Sequence, residues 1–258
     1  MSSSRSVSLS WARGLVVPVL LLAIWYFITQ FKLVNTLLLV QPYKVVTSAI
    51  THYREGLIVT PLLASLQRDL LGLTIGTLLG LVIGAAMGVS RLTDRLLGPT
   101  FHAAKQVALF AWIPLLSVWC GTGELAKVVF ISLAAFYPVV LNTHEGVSSV
   151  AREHVEVGRV FRFSRWQVFR KIILPGALPS IFAGVHLALI YAWLGTLGAE
   201  YLLSAAPGIG NLMVEGRESF QMDKVLLGVI IAGVVGASLN TLATKLEQYA
   251  LRWRVRGI

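Results

Sequence analysis

Residues 70–89 read LLGLTIGTLLGLVIGAAMGV, twenty positions without a charge. At about 1.5 Å per residue, a helix of that length covers the roughly 30 Å hydrocarbon core of a bilayer. Gly72, Gly76, Gly80, Gly84 and Gly88 recur at every fourth position, so one face of this helix is bare backbone. Lipid supplies no hydrophobic drive between helices, and close approach along small residues is what holds neighbours together. The stretch predicts a membrane-spanning helix with a dedicated packing face.

The whole chain agrees with that reading. Of its 258 residues 56% are apolar and 13% charged, and the mean hydropathy is +0.75. Soluble domains carry about a quarter charged residues, so an ordinary soluble enzyme is excluded, and the apolar content excludes disorder. The single Cys120 permits no intrachain disulfide and no cysteine metal cage. No metal site and no catalytic set are expected.

Further apolar runs lie at 14–31, 107–120, 128–142, 180–203 and 225–244. With 70–89 they predict an all-α integral membrane protein of about six transmembrane helices. Residues 14–258 form one domain behind a short leader, 1–13. The first run is longer than a signal-peptide core and ends in Phe31-Lys32 rather than a small-residue cleavage site, which makes it a retained span. Residues 32–69 read as an outer loop with a short interfacial helix. Pro114 and Pro138 interrupt the third and fourth runs. Such breaks are tolerated where neighbours or a cavity satisfy the freed carbonyls, which points to a translocation pathway.

The formal charge of +10 locates the sides. Distributed over six spans, 15 Lys/Arg fall on the side of the termini and 7 on the other. Basic residues accumulate in the cytoplasm, so both termini are placed there. The membrane explains the basic surplus, and no nucleic-acid partner is expected.

The longest polar stretch is 143–179, and within it residues 151–181 read AREHVEVGRVFRFSRWQVFRKIILPGALPSI. Helical periodicity runs through Val155, Val160 and Phe161. A second helix starts at Ser164, with Gln167 three residues on as capping-box partner. Val168, Phe169, Ile172 and Ile173 form an apolar stripe that stops at Pro175. Two short helices at a corner thus show aromatic and basic residues to water. Spacing alone leaves open an anionic lipid surface and a docking protein.

Glu156-Val157-Gly158 followed by Ile172-Ile173-Leu174-Pro175 resembles the loop of binding-protein-dependent ABC importer permeases. The extended ILPGALPSI is similar to the aliphatic sulfonate, taurine and nitrate branch. The resemblance continues through Ser65-Leu66-Gln67-Arg68, Ala111-Trp112-Ile113-Pro114-Leu115, Trp119-Cys120-Gly121, Ala199-Glu200 and Gly208-Ile209-Gly210, and covers the chain from about residue 60 onward. It implies that the 143–179 loop, between spans four and five, carries a cytoplasmic coupling helix docking on a separate ATPase. The contact would involve Glu156, Val157, Gly158, Arg159, Phe161, Arg162, Phe163, Ser164, Leu174 and Pro175. Two positions depart from the pattern. Gly158 replaces an alanine, and Arg162 falls where the family has a turn glycine. A left-handed backbone costs a residue such as Arg about 1 kcal/mol or more, so the turn is either built differently or shifted toward 162–164. The surplus arginines fit an acidic ATPase surface and anionic headgroups equally.

A P-loop needs Gly-Lys followed by Ser or Thr, and no Gly-Lys pair occurs in the chain. ATP and Mg are therefore expected on the partner ATPase, with no cofactor on this chain. The resemblance further implies a multi-pass subunit of the bacterial cytoplasmic (inner) membrane. Its partners would be a second permease copy as a homodimer, two ATP-binding cassette subunits, a soluble or lipid-anchored substrate-binding protein, and membrane lipid. Transport would proceed by alternating access coupled through residues 152–175. A small sulfonate-like anion is the first expectation for the cargo; nitrate, taurine or a pyrimidine precursor remain open. A channel would not need the coupling loop. An intramembrane enzyme would need a catalytic constellation, yet Ser238 and His186 lie in different spans and no HExxH occurs.

Glu200 is the pathway candidate by chemistry, because ionisable residues within a span are costly and functional by default. It would repel an anion, which favours gating or a structural salt bridge over ligation. His186, mid-span near Tyr191 and Trp193, reads as packing rather than ligation. Thr196, Trp112 and Pro114 complete the candidate pathway set.

Overall fold

The computed structural model of the protein describes residues 5–35, 39–203 and 207–252, which are helical with no strand among them. They divide into two compact units, one drawn from 1–59 and 212–230, the other from 60–211 and 231–258.

The first unit contains α1 (Arg5–Gln30) and α2 (Pro42–Arg54). Pro42 suits the first turn of α2, where its missing N–H has no helical partner to lose. The Trp25 indole closes the intervening loop by donating to the Val40 carbonyl at 3.0 Å. Much of α10 (Ile209–Glu218) and the start of α11 (Met222–Ala250) also belong to it.

The second unit is built on α3 (Val59–Val89), α6 (Glu124–Ser148) and α9 (Leu174–Leu202). The five glycines of α3 lie against α6. A Cβ on Gly72 would strike Ile131, one on Gly76 the Ser132 carbonyl and Ala135, one on Gly80 Val139, one on Gly84 Thr143, and one on Gly88 Val147. The constant offset means that α3 and α6 run parallel. Helix α9 runs antiparallel to α6, since Gly195 meets Ala134, Gly184 meets Asn142 and Gly146 meets Ser180. Helix α6 is accordingly the most buried of the helices long enough to span a membrane. Ile131, Ala135, Val139, Ala188 and Ala192 form the core between α6 and α9.

Among the described residues, four helices have the length and hydropathy to cross a membrane: Val59–Val89, Glu124–Ser148, Arg165–Leu202 and Met222–Ala250. A fifth crossing exists if α4 (Arg91–Gln106) and the stretch Leu109–Cys120 count as one span bent by 97°. That stretch is a 3-10 turn, Leu109–Trp112, leading into α5 (Ile113–Cys120). The apolar part of α1, Val16–Gln30, is shorter.

The helices are longer than the apolar runs. Helix α3 begins at Val59 rather than at 70, because Ser65, Arg68 and Asp69 are buried and partnered instead of marking a loop. Residues 91–106 are helical, capped by Ser90, which accepts from the Thr93 N–H at 3.3 Å. In the 143–179 stretch α6 continues to Ser148 and α9 starts at Leu174. Between them lie α7 (Arg152–Val160) and the short α8 (Arg165–Val168), which runs through a π turn, Phe169–Ile173, into α9. Pro175 does not end this helix. It has no N–H to donate, and the wider π turn ahead of it accommodates that loss.

Candidate functional site

Helices α6 and α9 carry the candidate residues at their two ends, separated by the 25 residues of α6, on the order of 37 Å at 1.5 Å per residue.

At the first end, the parallel register of α3 and α6 brings Arg68 to the start of α6, and the antiparallel α9 brings Glu200 to the same place. Glu200 is fully buried and Arg68 nearly so. Arg68 donates from Nε to Glu124 Oε2 at 2.5 Å and from Nη2 to Glu124 Oε1 at 2.9 Å, a bidentate pair. Its Nη1 donates to Glu200 Oε1 at 2.6 Å and to the Pro207 carbonyl at 2.9 Å. Planar guanidinium suits this role, since its fixed fork answers two carboxylates and a carbonyl at once. Glu200 also accepts from the Ser65 hydroxyl at 2.8 Å and from the Gly210 N–H at 2.9 Å, in the first turn of α10. Ser65 in turn accepts from the Ile209 N–H at 3.0 Å. A carboxylate at a helix N-terminus is favourable because unpaired N–H groups and the helix dipole both face it. A Cβ on Gly208 or Gly210 would collide with the Glu200 side chain, so glycine is required for this close approach.

Around this clasp, Thr196 donates to Asp69 Oδ1 at 3.1 Å, and Lys127 lies 3.7 Å from Glu124. Asp69 Oδ2 and Lys127 Nζ, both buried, have no hydrogen-bond partner among the described residues. Of the candidate pathway residues, Glu200 and Thr196 come together here. Trp193 and His186 instead face α11. The Trp193 indole donates to the Ala232 carbonyl at 3.0 Å, and His186 pairs with Asn240 Oδ1 at 2.7 Å and Glu247 Oε2 at 3.2 Å. Trp112 ends the 3-10 turn and Pro114 lies in the first turn of α5, and Trp112 packs on the cluster of Ile113, Ala126, Phe130 and Ala199.

At the opposite end, α7 and α8 form an elbow. The Phe163 N–H bonds to the Gly158 carbonyl at 3.0 Å, and Arg162 between them has φ 54°. This is the six-to-one closure of a Schellman helix end, with Arg162 at the left-handed position that glycine normally fills. The turn has therefore kept its geometry with the strained residue in it. Ser164 and Gln167 make both bonds of a capping box, at 3.3 and 2.8 Å. Gly158 is buried against Ile172, which seats α7 on the π turn.

Glu156, Val157, Phe161, Arg162 and Ser164 are exposed, and Phe163 half-buried under the Lys171 ammonium, 4.9 Å from its ring centre. Phe161 is 69% exposed and Trp166 66%. Leu174 and Pro175 are half-buried at the root of α9, where Leu174 packs with Val147, Ala177 and Ile181. Arg159 lies in α7, with its side chain outside the described residues. Trp166, stacked on Phe169 at 5.9 Å, joins the exposed surface, although sequence reasoning did not single it out. Arg68, Glu124 and Lys127 were likewise missed as a group. Their only signal is that opposite charges flank three separate apolar runs.

The profile of the family described as "Binding-protein-dependent transport system inner membrane component" matches residues 76–252. A putative aliphatic sulfonates transport permease protein of Bacillus subtilis is 36% identical over 95% of this chain and 88% of its own length. The taurine transport system permease protein of Escherichia coli is 31% identical over 97% of this chain and 91% of its own. Among solved structures, a chain of the MetNI methionine ABC transporter in an inward-facing conformation superposes with a TM-score of 0.65 at 16% identity. The match covers 75% of this chain and 96% of that one, a likeness of fold.

Proposed function

This chain belongs to the family of binding-protein-dependent transport system inner membrane components and is the membrane permease subunit of an ABC importer; on that premise we propose that its cargo is a small organosulfonate. The observation that carries the cargo is the near full-length similarity to permeases named for aliphatic sulfonates and for taurine, both of which present a sulfonate group. The ATPase is a separate subunit, and a substrate-binding protein delivers the cargo. ATP and Mg bind the ATPase, the permease works as a homodimer in the bacterial inner membrane in contact with its lipid, and both termini are cytoplasmic. Six spans follow when α1 and the bent α4–α5 pair are added to the four long helices.

Within this scheme the elbow of α7 and α8 is the coupling surface. Exposed rings on a water-facing turn are costly unless a partner covers them, and Phe161, Trp166 and Val157 present such a patch beside Glu156. Nucleotide-driven closure of the ATPases is passed through residues 152–175 to α6 and α9. The Arg68–Glu200 clasp is the structural salt bridge of the far end, holding α3, α6, α9 and the first turn of α10 in one arrangement. It does not ligate the cargo, since every oxygen of Glu200 already has a donor.

The test is ATP-dependent uptake by the complete importer in proteoliposomes, comparing ethanesulfonate, taurine, nitrate and a pyrimidine precursor. Uptake of the two sulfonates is expected and exclusion of the others; uptake of nitrate alone would replace the cargo assignment.

A further inference from the structure

Helix α4 ends at Gln106 and the next turn starts at Leu109, across the 97° bend. Backbone that leaves the helix at membrane depth is tolerated where it lines a cavity or is buried in protein. Here it lines a cavity of about 410 Å³, whose walls include Lys105, Gln106, Tyr137, Asn142, Leu187 and Tyr191. Small-ligand sites occupy about 300–1,000 Å³. Tyr137 is near the midpoint of α6 and Tyr191 of α9, so the cavity and the Lys105 side chain lie level with the middle of the spanning helices.

Lys105 makes no ion pair or side-chain hydrogen bond with the described residues, and neither does the Tyr191 hydroxyl. The contrast is with Arg68, where two carboxylates and a carbonyl answer the guanidinium. A lysine at this depth is expensive without a counter-charge, and the cavity it lines is where one fits.

We propose that this cavity at the α4–α5 break is an anion-holding station in the permease itself, in which Lys105 supplies the counter-charge for a monovalent organosulfonate. Lysine suits a tetrahedral oxyanion head. Its ammonium is a compact point charge with three rotatable donors, which can follow the head without fixing its orientation. The Tyr191 hydroxyl is a second donor to the head. Leu187, which with Leu141 and Val107 makes the wall apolar, receives a short alkyl tail. This proposal rests on the reading of the chain as a sulfonate importer and deepens it, because it places charge selection in the membrane subunit as well as in the binding protein.

Two measurements separate the proposal from the reading beneath it. The first is sulfonate uptake by the unmodified importer. The second is direct binding of ethanesulfonate and its neutral isostere, ethyl methyl sulfone, to the full-length permease in nanodiscs, followed by saturation-transfer NMR. The intact permease is expected to prefer the anion at least tenfold. Lys105→Gln should abolish that preference, and Lys105→Arg should keep at least a third of it; a merely structural lysine would not alter discrimination between isosteres. If uptake occurs but the intact permease shows no preference, or Lys105→Gln retains it, the station is refuted and the importer reading stands. If the unmodified importer carries no sulfonate, both fall together. Should Lys105→Gln elute as aggregate, Leu187→Trp decides. It fills the cavity without touching the charge, is expected to weaken ethanesulfonate binding at least tenfold, and unchanged binding overturns the proposal.

Discussion

At the Arg68 end of the α6–α9 pair Arg68, Asp69, Lys127 and Glu200 are buried and of the cluster only Glu124 reaches the surface, while at the Phe161 end aromatic rings and basic side chains are left exposed. The first arrangement is self-contained: Arg68, Glu200, Ser65 and two backbone N–H groups satisfy one another, so mutation there should appear as lost folding. The second arrangement is incomplete by itself, and mutation there should leave folding intact and remove a function that needs a partner. Burial, more than charge, tells a structural network from a docking surface in this molecule.

The sharpest way to break the comparison is to remove one partner of the clasp. Arg68→Met leaves Glu200 buried without its cation, a loss of about 3–5 kcal/mol, measured as thermal unfolding of the purified chain in detergent. Arg68→Met combined with Glu200→Met should recover more than half of that loss. A single variant as stable as the parent would mean that the clasp does not hold the helices. Next in size is the glycine face. Gly80→Val drives a side chain into Val139 and should cost about 1–3 kcal/mol. Gly233→Ala, whose Cβ meets nothing within 4 Å among the described residues, should stay within about 0.5 kcal/mol. Equal effects at the two sites would show that the spacing has no packing role.

The glycine face is legible because it is a periodic signal on one helix, and the corner between α7 and α8 because caps and turns are written in adjacent residues such as Ser164 and Gln167. The clasp is not. Arg68 lies 56 residues from Glu124 and 132 from Glu200, and only the relative register of three helices brings them together. In the linear sequence each charge looks like the edge of a loop. The broken span is hidden for a different reason: α4 carries Arg91, Asp94, Arg95 and Lys105 among its apolar residues, so a run of hydrophobicity never forms. Reading 107–120 as a span by itself misses that its other half is amphipathic. Lys105, which lies between the predicted runs 70–89 and 107–120, thereby becomes part of the wall of a cavity.

A smaller effect sharpens the comparison at the elbow. Arg162 holds φ 54°, so Arg162→Gly should stabilise the chain by about 1 kcal/mol in thermal unfolding, and Arg162→Val should destabilise it. No gain with glycine would mean that the arginine side chain repays its own strain. Smallest of all on stability should be Phe161→Ala with Glu156→Lys, within about 0.5 kcal/mol, because both side chains are exposed.

That double variant also carries the most direct test of the coupling assignment. In proteoliposomes holding the complete importer, it should fold and insert as the parent does. Cargo uptake and ATP hydrolysis stimulated by the loaded binding protein should both fall at least tenfold. Uptake and stimulated hydrolysis at the parental rate would contradict the assignment of this exposed elbow as the surface through which the ATPase drives the permease.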